Sequence, residues 1–207
     1  MFYDRKDAGK KLAKALEGYA DTQDLIVLAI PRGGVEVGYE VATRLGADFS
    51  LIVTRKLPFP HNPESGFGAI AEDGSTFLFD FAAGELQEET VEEIKQEQQE
   101  EIARRVQSLR KGNPLPDLEG KTVILVDDGL AMGSTMRASI KMCRKQKPEA
   151  VVVAVPVAGE RVKREMEKLA DDTVVLETPP NFRAVAQVYE NWYDVTDTEV
   201  IAVMKGS

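Results

Sequence analysis

Five short aliphatic runs, LIVLAI (25–30), SLIVT (50–54), TVILV (122–126), AVVVAVPV (150–157) and TVVLE (173–177), leave few folds open. Each has strand length and reads as a buried strand. Between them, VEVGYEVATRLG ending at Gly46 and the segments 133–146 and 159–170 have helical spacing. An opening segment from Asp4 to Tyr19 places Ala8, Leu12, Ala15, Leu16 and Tyr19 on one face, the pattern of an amphipathic helix that covers a sheet. Strands alternating with helices predict an α/β fold, a mostly parallel central sheet flanked by helices on both faces.

Other stretches depart from this alternation. RKLPFPHNPESGFG (55–68) carries three prolines and two glycines and is expected to be irregular. AIAE and TFLFD, around Asp73 and Gly74, predict a hairpin. Residues 84–111 predict one long helix with an apolar stripe of Leu86, Val91, Ile94, Ile102, Val106 and Leu109. Its glutamates gather in the early turns and Arg104, Arg105, Arg110 and Lys111 in the last, as a helix dipole favours, and these charges read as a solvated face. After Glu177 the composition turns aromatic and polar, with Phe182, Tyr189, Trp192 and Tyr193, so residues 179–207 are expected to cap a core of residues 1–178. A length of 207 residues suits that single domain with a small appendage.

Charge and cysteine content narrow the function. A net charge of -9 argues against a nucleic-acid or anionic-membrane surface, so an anionic ligand must be held by a local arrangement. The single cysteine, Cys143, excludes an internal disulfide framework and reads as a core residue. No signal-peptide core and no membrane-length apolar stretch is present, so a cytoplasmic protein is expected.

The chemistry concentrates in VILVDDGLAMGST (123–135). Asp127 and Asp128 stand at the carboxyl end of a predicted strand, where parallel sheets bind ligands. The turn leads into a helix whose first residues, Gly133, Ser134 and Thr135, present backbone N–H groups and two hydroxyls to an anion. Acids beside an anion nest suit one ligand with two different ends: a sugar phosphate, its hydroxyls on the carboxylates and its phosphate on the amides.

That stretch resembles the motif by which type I phosphoribosyltransferases bind 5-phosphoribosyl-1-pyrophosphate (PRPP). The resemblance implies the fold of that family, with a C-terminal hood at 179–207 and a flexible loop at about 55–72. It implies that Asp127 and Asp128 bind the ribose hydroxyls, and that Gly129, Leu130 and the turn Ala131, Met132, Gly133, Ser134 and Thr135 bind the substrate around its 5'-phosphate. PRGG (Pro31, Arg32, Gly33, Gly34) matches the loop that grips pyrophosphate, often through a non-proline cis peptide, here the bond between Pro31 and Arg32. Arg55 and Lys56 match a catalytic loop that closes over the leaving group; His61, further along, reads first as an exposed turn residue. The expected reaction is transfer of the phosphoribosyl group to a nitrogenous small-molecule acceptor. Mg2+ would be carried mainly by PRPP, with no dedicated protein ligands, and a homodimer is expected. Across nearly the whole chain the pattern is closest to an uncharacterised prokaryotic subgroup, some of whose members carry a fused hydrolase domain; these 207 residues have no room for it and no Gly-x-Ser-x-Gly elbow.

Two departures bear on the acceptor. Ala131 stands where purine-salvage members commonly have an aspartate, and Met132 replaces the usual threonine, leaving only its N–H for phosphate. A PRPP- or nucleotide-sensing regulator without turnover is the alternative reading, against which Arg55 and Lys56 speak. A phosphatase using Asp127 is disfavoured because Asp-x-Asp spacing is absent.

Overall fold

The structure, a computed structural model, describes residues 1–82 and 84–206. In chain order its elements are α1 (Arg5–Ala15), β1 (Leu25–Ala29), α2 (Gly34–Leu45), β2 (Asp48–Leu51), β3 (Thr54–Phe59), β4 (Asn62–Ala71), β5 (Thr76–Leu78), α3 (Glu88–Arg110), β6 (Thr122–Val126), α4 (Ser134–Lys145), β7 (Ala150–Val157), α5 (Glu160–Leu169), β8 (Asp172–Glu177) and α6 (Asp197–Lys205). The five aliphatic runs form one sheet in the order β2-β1-β6-β7-β8, parallel at every pairing. Helices α1 and α2 bury Leu12, Ala13, Val37 and Val41 on one face of it, against Val27 and Ile124. On the other face α4 and α5 bury Met136, Ile140, Val162 and Met166 against Leu28, Leu125 and Val153. The predicted three-layer α/β arrangement is therefore present, because strands apolar on both sides require cover on both sides.

Three details differ from the sequence reading. The run at 50–54 is divided: β2 ends at Leu51, and Thr54 opens a second sheet of order β3-β4-β5. Ile52 and Val53 stay buried at the crossing between sheets, so their apolar character marks the core and not a strand. The proline-rich segment is regular, forming an antiparallel hairpin of β3 and β4. Its prolines fall where a ladder tolerates them: Pro58 at two register shifts, Pro60 in the turn and Pro63 at the exposed start of β4. The long helix starts at Glu88, after Gly84 takes a left-handed φ of 96°.

The reading of Arg110 as a solvated charge is also corrected. Its side chain is only 4% exposed and pairs with Glu72, while Nη1 donates to the carbonyl of Leu51 at 2.9 Å. Glu72 in turn accepts from the N–H of Val53 at 3.1 Å. One buried ion pair thus ties the end of α3 to the seam between the two sheets. The predicted hairpin of β4 and β5 is present, turning at Gly74.

Strand order fixes where a ligand can sit. From β1 the chain moves outward to β2, then returns to β6 on the other side of β1 and proceeds through β7 to β8. The direction reverses between β1 and β6, and a crevice opens outside the carboxyl ends of two such strands.

Candidate active site

Two segments leave that crevice side by side. Ala29 of β1 pairs with Val126 of β6, so Pro31, Arg32, Gly33 and Gly34 emerge next to Asp127 and Asp128. The peptide bond between Pro31 and Arg32 is cis, as the sequence reading placed it. The glycines are there for space: a Cβ on Gly33 would lie 1.8 Å from Oδ2 of Asp128, and one on Gly34 would lie 2.9 Å from Cα of Asp127. The loop and the acids can approach this closely only without side chains in between.

The two acids are not equivalent. Asp128 accepts a hydrogen bond on Oδ2 from Nε of Arg5 at 2.9 Å, with side-chain exposures of 13% and 4%. Arg5 also donates through Nη1 to the carbonyl of Tyr193 at 2.9 Å, and its guanidinium lies 4.0 Å from the ring centroid of Trp192. Tyr189 donates its hydroxyl to the carbonyl oxygen of Asp128 at 2.7 Å. Asp127 has no ion pair among the described residues; its Oδ1 accepts from the N–H of Asp128 at 2.8 Å. Burial, and then the neighbouring Asp128 charge, hold the Asp127 carboxyl well above the usual range. Burial raises Asp128 too, but there Arg5 pulls in the opposite direction.

The glycine turn follows. Leu130 donates its N–H to the carbonyl of Val157 at 2.9 Å, which pins the turn to the end of β7. Gly133 caps α4 with φ 71° and offers no side-chain hydrogen bond to the first-turn N–H groups. Those amides are open to an external anion. Residues 129–135 line a cleft of about 430 Å³ together with Lys56, Glu64, Ser65, Gly66 and Val185. Lys56 reaches it from β3, donating to the carbonyl of Glu64 at 2.6 Å.

The other cations lie elsewhere. Successive strand residues face opposite sides, so Arg55 points to α3 and donates to Oε1 of Gln98 at 3.1 Å. Burial lowers its pKa, and the cations Arg105, Arg32 and Arg104 add to the effect. Arg32 stands 3.6 Å from Asp197 of α6. His61 is exposed in the hairpin turn.

The profile of the family described as "Phosphoribosyl transferase domain" matches residues 2–192. The chain belongs to this phosphoribosyl transferase family. "Putative phosphoribosyl transferase Rv0571c" of Mycobacterium tuberculosis is 37% identical over 206 residues, covering 99% of the chain and 46% of that relative. The chain thus spans about half the length of the curated relatives it matches. Among solved structures, TT1426 from Thermus thermophilus has a TM-score of 0.82 at 36% identity, covering 99% of this chain and 98% of that one. A hypoxanthine phosphoribosyltransferase from Staphylococcus aureus has a TM-score of 0.50 at 12% identity, covering 86% and 74%, a likeness of fold alone.

Within this phosphoribosyl transferase domain, the acids, the PRGG loop, the glycine turn and Lys56 converge on one crevice. Arg5 is a residue beside the acids that the sequence reading did not name; Tyr189 appeared there only among the aromatics of the cap. Arg5 lies on the buried face of α1 in line with Ala8 and Leu12, and its contact with Asp128 spans 123 positions. No local pattern carries such a contact. Tyr189 also packs on Phe2 with ring centroids 5.6 Å apart and on Trp192 at 5.3 Å.

Proposed function

We propose that the chain transfers the 5-phosphoribosyl group of PRPP to a nitrogenous small-molecule acceptor and releases pyrophosphate. The supporting observation is the apposition, at the β1/β6 switch point, of two carboxylates and an uncapped helix start within one crevice. In this reading the first-turn amides of α4 with Ser134 and Thr135 take the 5'-phosphate. Asp127 and Asp128 accept hydrogen bonds from the ribose hydroxyls, and the backbone of residues 31–34 takes pyrophosphate. The bond between C1 and the pyrophosphate oxygen breaks with its electron pair on the leaving group. A bond from the acceptor nitrogen to C1 forms, and that nitrogen loses its proton. The acids stabilise positive charge developing on the sugar ring.

Arg5 fits this chemistry as a positioning residue. It fixes the orientation of Asp128 and favours its charged form against burial. Lys56 stands where it can offset charge on the substrate. Among the described residues no three acidic, histidine or cysteine side chains gather into a metal cage. Asp127 and Asp128 are the residues that would share a Mg2+ ion arriving with PRPP, and the ion would neutralise part of the pyrophosphate charge.

A second reading, binding of PRPP without turnover, is favoured by one observation: Arg55 is turned toward α3 and away from the cleft. Incubation with PRPP, Mg2+ and a panel of bases and amines, with pyrophosphate measured, separates the two. Acceptor-dependent release of pyrophosphate is expected. Saturable binding without release would mean a sensor, and no binding of PRPP would end both readings.

A further inference from the structure

A second concavity, of about 590 Å³, lies between β5, α4 and α5 and shares only Met132 with the cleft described above. Its size is within the range of small-molecule sites. One wall is aromatic: Phe77 and Phe79 meet edge to face at 5.0 Å, and Phe79 and Phe81 stack at 5.1 Å with their planes 13° apart. Phe81, Met132 and Leu169 around it are 51%, 45% and 43% exposed. Large apolar side chains left exposed around one concavity mark a binding surface.

The opposite wall is basic, on a chain whose net charge is -9. Arg161 extends from α5 with its side chain 72% exposed, and its ion pair with Glu165 is 3.8 Å long. Lys168 has no hydrogen bond or ion pair among the described residues. Glu165, an acid in this groove, is already engaged by the buried Arg137. A purely apolar ligand would leave these cations unused, and a bare phosphate would leave the phenylalanines unused. A flat ring carrying a phosphate uses both walls.

The groove is also joined to the glycine turn. Arg137, 6% exposed, lies 4.8 Å from the ring centroid of Phe77 and donates through Nη1 to the carbonyl of Met132 at 2.7 Å. Met132 lines both the groove and the cleft of the turn.

We propose that this groove is a second, regulatory site for a nucleotide, its base on the phenylalanine wall and its phosphate on Arg161 and Lys168, coupled to the turn through Arg137 and Met132. The binding half stands by itself, while the coupling half rests on the phosphoribosyl reading of the turn. Coupling of this kind is reciprocal, and a change of about fivefold or more in affinity is typical.

The probes are AMP and ribose 5-phosphate, which shares the phosphate but has no base, titrated by calorimetry. Phe81→Ala/Arg161→Ala alters only exposed side chains of the groove, and Ser134→Asp/Thr135→Asp places negative charge in the turn. We expect AMP to bind the wild type and the turn variant, and to bind the groove variant about tenfold or more weakly. Ribose 5-phosphate should bind the wild type and the groove variant but not the turn variant. AMP should change the affinity for ribose 5-phosphate in the wild type only. No AMP binding, or AMP binding lost in the turn variant and kept in the groove variant, would overturn the second site. Self-association abolished by the groove variant, without AMP binding, would assign the groove to a second copy and overturn it as well. AMP binding that leaves ribose 5-phosphate affinity unchanged would overturn the coupling. Failure of ribose 5-phosphate to bind the wild type would instead count against the phosphoribosyl reading.

Discussion

At the scale of single residues the site is a problem of space and charge. A methyl group on Gly33 would collide with Oδ2 of Asp128 and approach Nε of Arg5 to 3.0 Å. Gly33→Ala should therefore cost about 1–3 kcal/mol, as overpacking does, read as a lower denaturant midpoint. Asp127→Asn should have the opposite effect on stability. Its folded pKa is raised by burial and by Asp128, so the folded state holds a proton that the unfolded chain gives up, and stability falls as pH rises from the ordinary carboxylate range toward neutrality. The asparagine variant should melt above the wild type at neutral pH, with the difference shrinking toward acid. Asp128→Asn should lower transfer about tenfold or more, equivalent to about 1.4 kcal/mol in the barrier, with the fold intact. Arg5→Met removes a charge-assisted hydrogen bond of about 1.5–3 kcal/mol. It should weaken PRPP binding about tenfold at neutral pH. Without its cation Asp128 ionises only at higher pH, so affinity should recover as pH rises, and Arg5→Lys should restore part of it. The acids and the turn were legible because strand, turn and helix lie within thirteen consecutive residues. Arg5 was not, because its partner is set by how α1 packs on the sheet.

At the scale of elements the second sheet decides what reaches the crevice. The alternation of β3 sends Lys56 to the turn and Arg55 to α3, a division that reading the pair as one catalytic unit could not anticipate. Prolines usually argue against a strand, and here they mark its interruptions, which needs knowledge of the ladder partner. The seam holding this sheet depends on Glu72 and Arg110. Glu72→Ala leaves a buried guanidinium uncompensated, which costs about 3–5 kcal/mol. Chemical denaturation should show a loss of that size. The neutral Glu72→Gln should lose less, because it can still accept from Val53.

At the scale of the whole molecule, the aliphatic runs were enough to give a parallel sheet with the acids at its carboxyl edge, while the switch point needed the order of strands within that sheet. What the sequence could not supply was the closure of the rim, where the N–H of Phe2 donates to the carbonyl of Val188 at 2.7 Å and that of Glu190 to the carbonyl of Phe2 at 2.9 Å. A ligand held by both core and rim stabilises them together: PRPP with Mg2+ at a hundredfold excess over its Kd should add about 2.7 kcal/mol, visible as a rise in Tm. The bond from Arg5 to the carbonyl of Tyr193 joins positions 188 apart. The guanidinium that holds Asp128 is thus itself held by a backbone group far along the chain. Loosening the segment around Tyr193 should therefore reach the second acid without touching it, because the clamp on that acid is anchored there.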